Sequence, residues 1–124
     1  MNRLWIFCVA VVFLPVPSTA QVGWGRITKG GPFQEFRDGD WEMFRQNVVR
    51  AADSADDENP VTWTNAKTGA QGTVTVTRRF TSPELGECRD LQGQTSARSR
   101  TGPFAVTLCR QPGATWKISD KPPG

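Results

Sequence analysis

The spacing of the apolar residues changes once along the chain, near Asn59-Pro60. Before this point, the apolar residues of one helix face recur about every 3.6 residues: Trp41, Phe44, Val48, Ala51 and Ala52. After it, apolar residues alternate with Thr and other polar residues at a period of about 2, which is typical of half-buried strands. The sequence therefore predicts an α+β fold, in which one amphipathic helix packs on an antiparallel meander of about five strands.

The helix is expected over roughly residues 39–53. Asp38-Gly39-Asp40 offers residues that commonly begin helices, and the acidic residues that follow Asp53 disfavour a longer helix because they face its negative end. The expected core collects the apolar positions of helix and strands: Trp41, Phe44, Val48, Trp63, Val74, Val76, Phe80, Leu91, Phe104, Val106, Leu108, Trp116 and Ile118.

The start of the chain has the order of a secretory signal peptide. A basic residue, Arg3, precedes the apolar run Leu4–Leu14, and the small residues Ser18 and Ala20 follow. The pattern predicts a leader over residues 1–20 that is cleaved after Ala20, and no later stretch is apolar for long enough to cross a membrane as a helix. We expect export to a bacterial periplasm, with outer-membrane association or secretion as alternatives.

Beyond the leader, composition divides the chain into three parts. Residues 21–37 are rich in glycine and predict a flexible lead-in. Residues 38–119 carry the helix and strand patterns of a single domain, and residues 120–124 predict a disordered tail. Trp24 lies outside any apolar pattern and is therefore a candidate contact for a partner.

Two cysteines, Cys88 and Cys109, remain once the leader is removed. An even number of cysteines in an exported chain favours a disulfide. If the two face each other across antiparallel strands, paired positions sum to 197, Leu91 lies opposite Val106, and residues 97–102 form the connection. A redox-active pair is disfavoured because the Cys-x-x-Cys spacing is absent, and a metal site because the chain has no histidine to complete the ligands.

The composition also limits the function. The chain has neither histidine nor tyrosine, which removes the commonest general base and every arrangement that pairs a nucleophile with histidine. Its 15 basic and 12 acidic residues are too balanced for nucleic-acid binding, which calls for a concentrated basic face. We therefore expect no enzyme activity and no cofactor. Arg98 and Arg100, at the predicted hairpin tip, are candidate partner contacts.

Several stretches resemble the C-terminal domain of the bacterial 17 kDa surface antigen family. They are PVTWTNAKTGAQGTVTVTRRF (60–80), CRD (88–90) and AVTLCRQPGATWKI (105–118). The matching positions are Trp63, Asn65, Gly69, Gly72, Cys88-Arg89, Cys109-Arg110, Gly113 and Trp116. The resemblance implies a small, β-rich envelope protein without catalysis. The chain departs from many members because Gln21, not a lipid-bearing cysteine, follows the cut, and because it lacks a glycine zipper.

Three functional hypotheses follow. The first is a periplasmic binding or structural module of surface-antigen type that acts through an envelope protein or a glycan. The second is a secreted hydrolase inhibitor that inserts its basic hairpin tip, residues 97–102, into an acidic cleft. The third is a small glycan hydrolase, since that chemistry needs only two carboxylates.

Overall fold

In the part of the chain that the structure describes, one α-helix packs on one face of a five-stranded sheet. The computed structural model describes residues 31–54 and 59–119. Its elements are a 3-10 helix (Gly31–Glu35), helix α1 (Asp40–Asp53) and strands β1 (Val61–Thr64), β2 (Gln71–Ser82), β3 (Gly86–Ala97), β4 (Arg100–Arg110) and β5 (Lys117–Ile118). The strands follow the order β1-β2-β3-β4-β5, and each neighbouring pair is antiparallel. The predicted α+β fold is confirmed.

Some predictions fall wholly or partly outside the described residues. The signal peptide, Trp24 and the tail at 120–124 lie outside them, as do residues 21–30 of the lead-in. The rest of the predicted lead-in is structured, because Gly31–Glu35 form the 3-10 helix and Phe33 is buried. The Phe33 ring lies 5.2 Å from that of Phe44 and 6.4 Å from that of Phe104. Residues 31–35 therefore pack as part of the folded unit.

The core lies between α1 and the sheet. Nine of the thirteen expected core residues are buried: Phe44, Val48, Trp63, Val74, Val76, Leu91, Phe104, Val106 and Leu108. Three more pack against them and are partly buried: Trp41, Trp116 and Ile118. The apolar stripe of the helix thus meets the alternate apolar positions of the strands, as burial of both faces requires.

Phe80 is the exception among the expected core residues. The β2–β3 register shifts by one residue between Val76 and Arg78, so that Phe80 pairs with Cys88 instead of continuing the phase of Val76. An extra residue in one strand reverses the alternation beyond it. Phe80 therefore lies on the face away from α1, half-buried, with the Arg78 guanidinium 4.2 Å from its ring centre.

Strands β3 and β4 form a disulfide-linked hairpin. Cys88 is bonded to Cys109, and the two are direct cross-strand partners, as are Leu91 and Val106. The predicted register is therefore correct. The connection is shorter than the predicted 97–102, because pairing continues to Ala97 and Arg100 and leaves a two-residue turn. Arg98 in that turn has a φ of 55°, as two-residue hairpin turns require.

Buried hydrogen bonds fasten the start of α1 to the β1–β2 loop. The Asp40 side chain accepts hydrogen bonds from the Arg37 backbone N–H (2.8 Å), the Asn65 side-chain amide (2.7 Å) and the Thr68 hydroxyl (2.6 Å). Asp40 is only 1% exposed. Gly39 precedes the helix with a φ of 86° and makes no side-chain cap. Asp40 thus joins the helix to the sheet, a role beyond the predicted one of helix start.

Replacing Asp40 with alanine should destabilise the protein. Three donors lose their acceptor in a buried site, and we expect a loss of about 2–3 kcal/mol in the free energy of unfolding. Urea denaturation of the oxidised protein measures this. Asp38→Ala is the matched control, because Asp38 is exposed and its carboxylate makes no hydrogen bond among the described residues. Equal losses in the two variants would show that the Asp40 hydrogen bonds contribute nothing specific.

Candidate functional site at the hairpin tip

A cavity of about 200 Å³ lies where the β3–β4 tip meets the start of α1 and the β1–β2 loop. We call it the hairpin-tip cleft. Its lining residues are Glu35, Arg37, Asp38, Asp40, Lys67, Thr68, Ala70, Ala97 and Arg98. These residues come from three separate segments of the chain, 35–40, 67–70 and 97–98, and the fold brings them together.

Asn65 shapes the loop on one side of the cleft. Its backbone N–H donates to the Ala70 carbonyl (2.8 Å), and its own carbonyl accepts from Gly69 (2.8 Å). Its side-chain oxygen accepts from the Lys67 backbone N–H (3.1 Å). Gly69 has a φ of 79°, a conformation that glycine adopts without strain. The tightly closed loop places Lys67 at the cleft.

The cleft carries charges of both signs. Arg37, Lys67 and Arg98 supply three cations, whereas Glu35 and Asp38 supply carboxylates beside the hydrogen-bonded Asp40. Within residues 31–54 and 59–119, the side chains of Arg37 and Lys67 form no ion pair and no hydrogen bond. This arrangement can bind a ligand that carries a carboxylate, with the nearby acids available to an ammonium group.

Glu35 lies beside both arginines of the tip. Its carboxylate oxygens are 3.9 Å from Nε of Arg98 and 3.7 Å from Nε of Arg100. Arg100 also donates to the Gln34 side chain (3.3 Å). Both arginine side chains are about half exposed, so these contacts contribute at most about 1 kcal/mol each. Of the predicted contact residues, Arg98 therefore lines the cleft and Arg100 lies next to it.

Sequence reasoning missed Arg37 and Lys67. No motif links them, because they approach the hairpin tip only through the sheet order and the seating of α1. The available signal was Asn65 followed by Gly69, a turn sequence, which marks a loop without showing what lies across from it.

In each of the two Cys-Arg pairs, the two side chains lie on opposite faces of the sheet. Each cysteine lies on the face away from α1, and each arginine lies on the helix side. The guanidinium of Arg110 lies 4.2 Å and that of Arg89 5.4 Å from the centre of the Trp116 ring. The indole N–H of Trp116 donates to Asp53, the last residue of α1 (2.7 Å). The arginines thus hold Trp116 by cation–π contact, and Trp116 and Arg110, which also donates to Asp53 (3.1 Å), hold the end of the helix.

Glu87 completes this cluster. It accepts hydrogen bonds from Arg110 (3.0 Å) and from Arg89. The hydrogen bond from Arg110 holds the pKa of Glu87 below its ordinary value of 4.5; partial burial opposes this, and the charge of Arg89 reinforces it. Because the pKa is lower in the folded state, the stabilisation is present above the unfolded value and is lost as the pH falls through the folded value.

Within the described part of the chain, no three His, Cys, Asp or Glu side chains group as a metal ion would need. No helix there has the length and apolar content to span a bilayer.

Replacing Glu87 with glutamine should make the free energy of unfolding depend less on pH under acidic conditions. The wild-type free energy of unfolding should fall as the pH is lowered below 4.5, and the variant should lose part of that dependence. Urea denaturation at a series of pH values from neutral to about 3 measures it. Glu42→Gln, at an exposed position of α1, reports the effect of removing one carboxylate. Identical profiles for wild type and Glu87→Gln would contradict the role given to Glu87.

The comparison with protein families agrees with the motifs placed above. The family model described as 17 kDa outer membrane surface antigen matches residues 50–117, more than half of the 124-residue chain. The match runs from the end of α1 into β5 and includes both cysteines, the Asn65 loop and Trp116. No curated protein and no solved structure matched the chain. The chain belongs to the 17 kDa outer membrane surface antigen family.

Proposed function

We propose that this protein is an exported, non-catalytic binding or structural module of the cell envelope. The observation that carries the proposal is the disulfide between Cys88 and Cys109, built into the register of the sheet. Disulfides persist in oxidising compartments such as the bacterial periplasm. Membership of an outer membrane surface antigen family supports the same location.

The binding role is supported by the hairpin-tip cleft. Many charged positions elsewhere already serve the fold: Glu87 and Asp90, for example, each accept hydrogen bonds from neighbouring strands. The cleft is different, because Arg37 and Lys67 line it without a side-chain partner among the described residues. A partner that presents a carboxylate beside an ammonium group, such as a protein segment that carries both charges, fits this charge pattern.

A secreted inhibitor that uses the same tip is a second candidate. The two-residue turn and the exposure of Arg98 favour it. Glu35 weakens it, because its carboxylate lies beside both tip arginines and reduces the positive charge that an acidic enzyme cleft would meet. The glycan-hydrolase hypothesis draws no support from the carboxylates of Asp40, Glu87 and Asp90, which are engaged in structural hydrogen bonds.

Export and oxidation can be tested on the protein made in a bacterium from its full sequence. We expect a periplasmic product that begins at Gln21, with no free thiol and no acyl chain. Intact mass and thiol labelling, with and without reductant, measure this. Cys88→Ser/Cys109→Ser is the control for the thiol assay. Two free thiols, or retention of the full-length chain in the cytoplasm, would overturn the proposed location.

The role of the tip can be tested by crosslinking in intact cells. Arg98→Ser/Arg100→Ser should reduce the recovery of crosslinked partners, because the double change removes two cations at the cleft. Arg45→Ser is the matched control, since Arg45 is a partly exposed arginine of α1 that pairs only with Glu42 among the described residues. If the full set of partners survives the double change, the tip is not the contact surface.

A further inference from the structure

The sheet face away from α1 holds a broad uncharged region. We call it the open face. It consists of the outward-facing residues of the four strands β1 to β4, from Thr62 on β1 across the sheet to Ala105 on β4. It ends at the Arg78–Asp90 pair, which it does not include. The outward positions alternate with the buried ones, and each is exposed or half-buried. In the described part of the chain, the first charged residues on this face are Arg78 and Asp90, which pair with each other at 2.9 Å.

A cavity of about 270 Å³ lies on this face. Six of its lining residues carry hydroxyl or amide side chains: Thr62, Thr64, Gln71, Thr73, Gln94 and Ser96. They come from three adjacent strands, since Thr62 pairs with Thr73, and Thr73 pairs with Gln94. Because neighbouring strands lie about 5 Å apart and every second residue faces the same side, these groups form a regular grid.

Most polar side chains of this grid make no hydrogen bond to another described residue. Ser96 shares a hydrogen bond with the Thr101 hydroxyl (2.8 Å). The side chains of the other five polar lining residues (Thr62, Thr64, Gln71, Thr73 and Gln94) make no hydrogen bond to any described residue. Hydroxyl and amide groups both donate and accept hydrogen bonds, so the grid offers both kinds of partner to a ligand.

The chemistry of the open face favours one class of ligand. Protein interfaces are enriched in aromatic residues, Met and Arg, and the outward positions of this face carry none of them. Nucleic acids and anionic lipid headgroups need cations, which the outward positions also do not provide. An uncharged, polar grid is complementary to a ligand that is itself uncharged and densely substituted with hydrogen-bonding groups.

We propose that the open face binds an uncharged glycan that bears hydroxyl and acetamide groups. The threonine and serine hydroxyls would contact the sugar hydroxyls, and Gln71 and Gln94 would contact the acetamides. The inference rests on the proposed binding role in the envelope, but it concerns a surface on the opposite side of the sheet from the core. A single hydrogen bond between neutral groups contributes little net free energy, so affinity should increase with the number of sugar units.

The test is a titration of the oxidised, ¹⁵N-labelled mature chain with oligomers of N-acetylglucosamine, followed by amide NMR. We expect saturable shifts at the amides of Thr62, Thr73 and Gln94, and tighter binding of a hexamer than of the monomer. Thr73→Ala/Gln94→Ala should bind the hexamer about tenfold more weakly. Gln46→Ala, at an exposed position of α1, is the matched control and should bind as the wild type does.

Three outcomes would overturn the inference: no shifts on the open face at the solubility limit of the hexamer, shifts confined to other surfaces, or full binding by a double variant whose spectrum shows a native fold. Binding of the polyanion polygalacturonate but not of the neutral hexamer would also overturn it. If the titration shows no glycan binding but partner crosslinks still depend on the tip residues, the glycan site is rejected and the proposed function stands. Loss of export or of the disulfide, measured separately, would reject the proposed function itself.

Discussion

The pairing of β3 with β4 is the constraint on which the rest of the molecule depends. Eleven residues of each strand are paired, and the disulfide joins one of these pairs covalently. A slip of one residue would exchange the two faces of one strand relative to the other. Either Leu91 or Val106 would then leave the core, and Cys88 and Cys109 would no longer lie opposite each other. The register therefore decides burial, the position of the disulfide and the exposure of the tip together.

The same register separates two kinds of surface. On the helix side, Arg89 and Arg110 extend from the residues next to the cysteines and hold Trp116, which in turn binds the end of α1 through Asp53. On the other side, the open face presents uncharged polar groups. One repeated sequence pattern, a cysteine followed by an arginine, thus serves the covalent link on one face and helix attachment on the other.

The opposite end of α1 is held by a different interaction. Asp40 reaches from the first turn of the helix to the Asn65 loop. Its buried carboxylate needs these donors, since an unpaired buried charge is costly. The link also positions the hairpin-tip cleft, because the loop that it holds carries Lys67. Helix attachment and the candidate binding site therefore share residues.

The sequence by itself determined the helix, the strand alternation and the cysteine register, because each depends on periodicity or on direct cross-strand pairing. Only the tertiary structure decided three further features. A one-residue bulge moved Phe80 off the core face, and the period-2 spacing of Val74, Val76 and Phe80 in the sequence gives no sign of it. Phe33 is buried although its neighbourhood is rich in glycine, because aromatic rings from α1 and β4 pack against it. The hairpin-tip cleft joins residues up to 63 positions apart (Glu35 and Arg98), and such proximity is set by how elements pack, which no local pattern encodes.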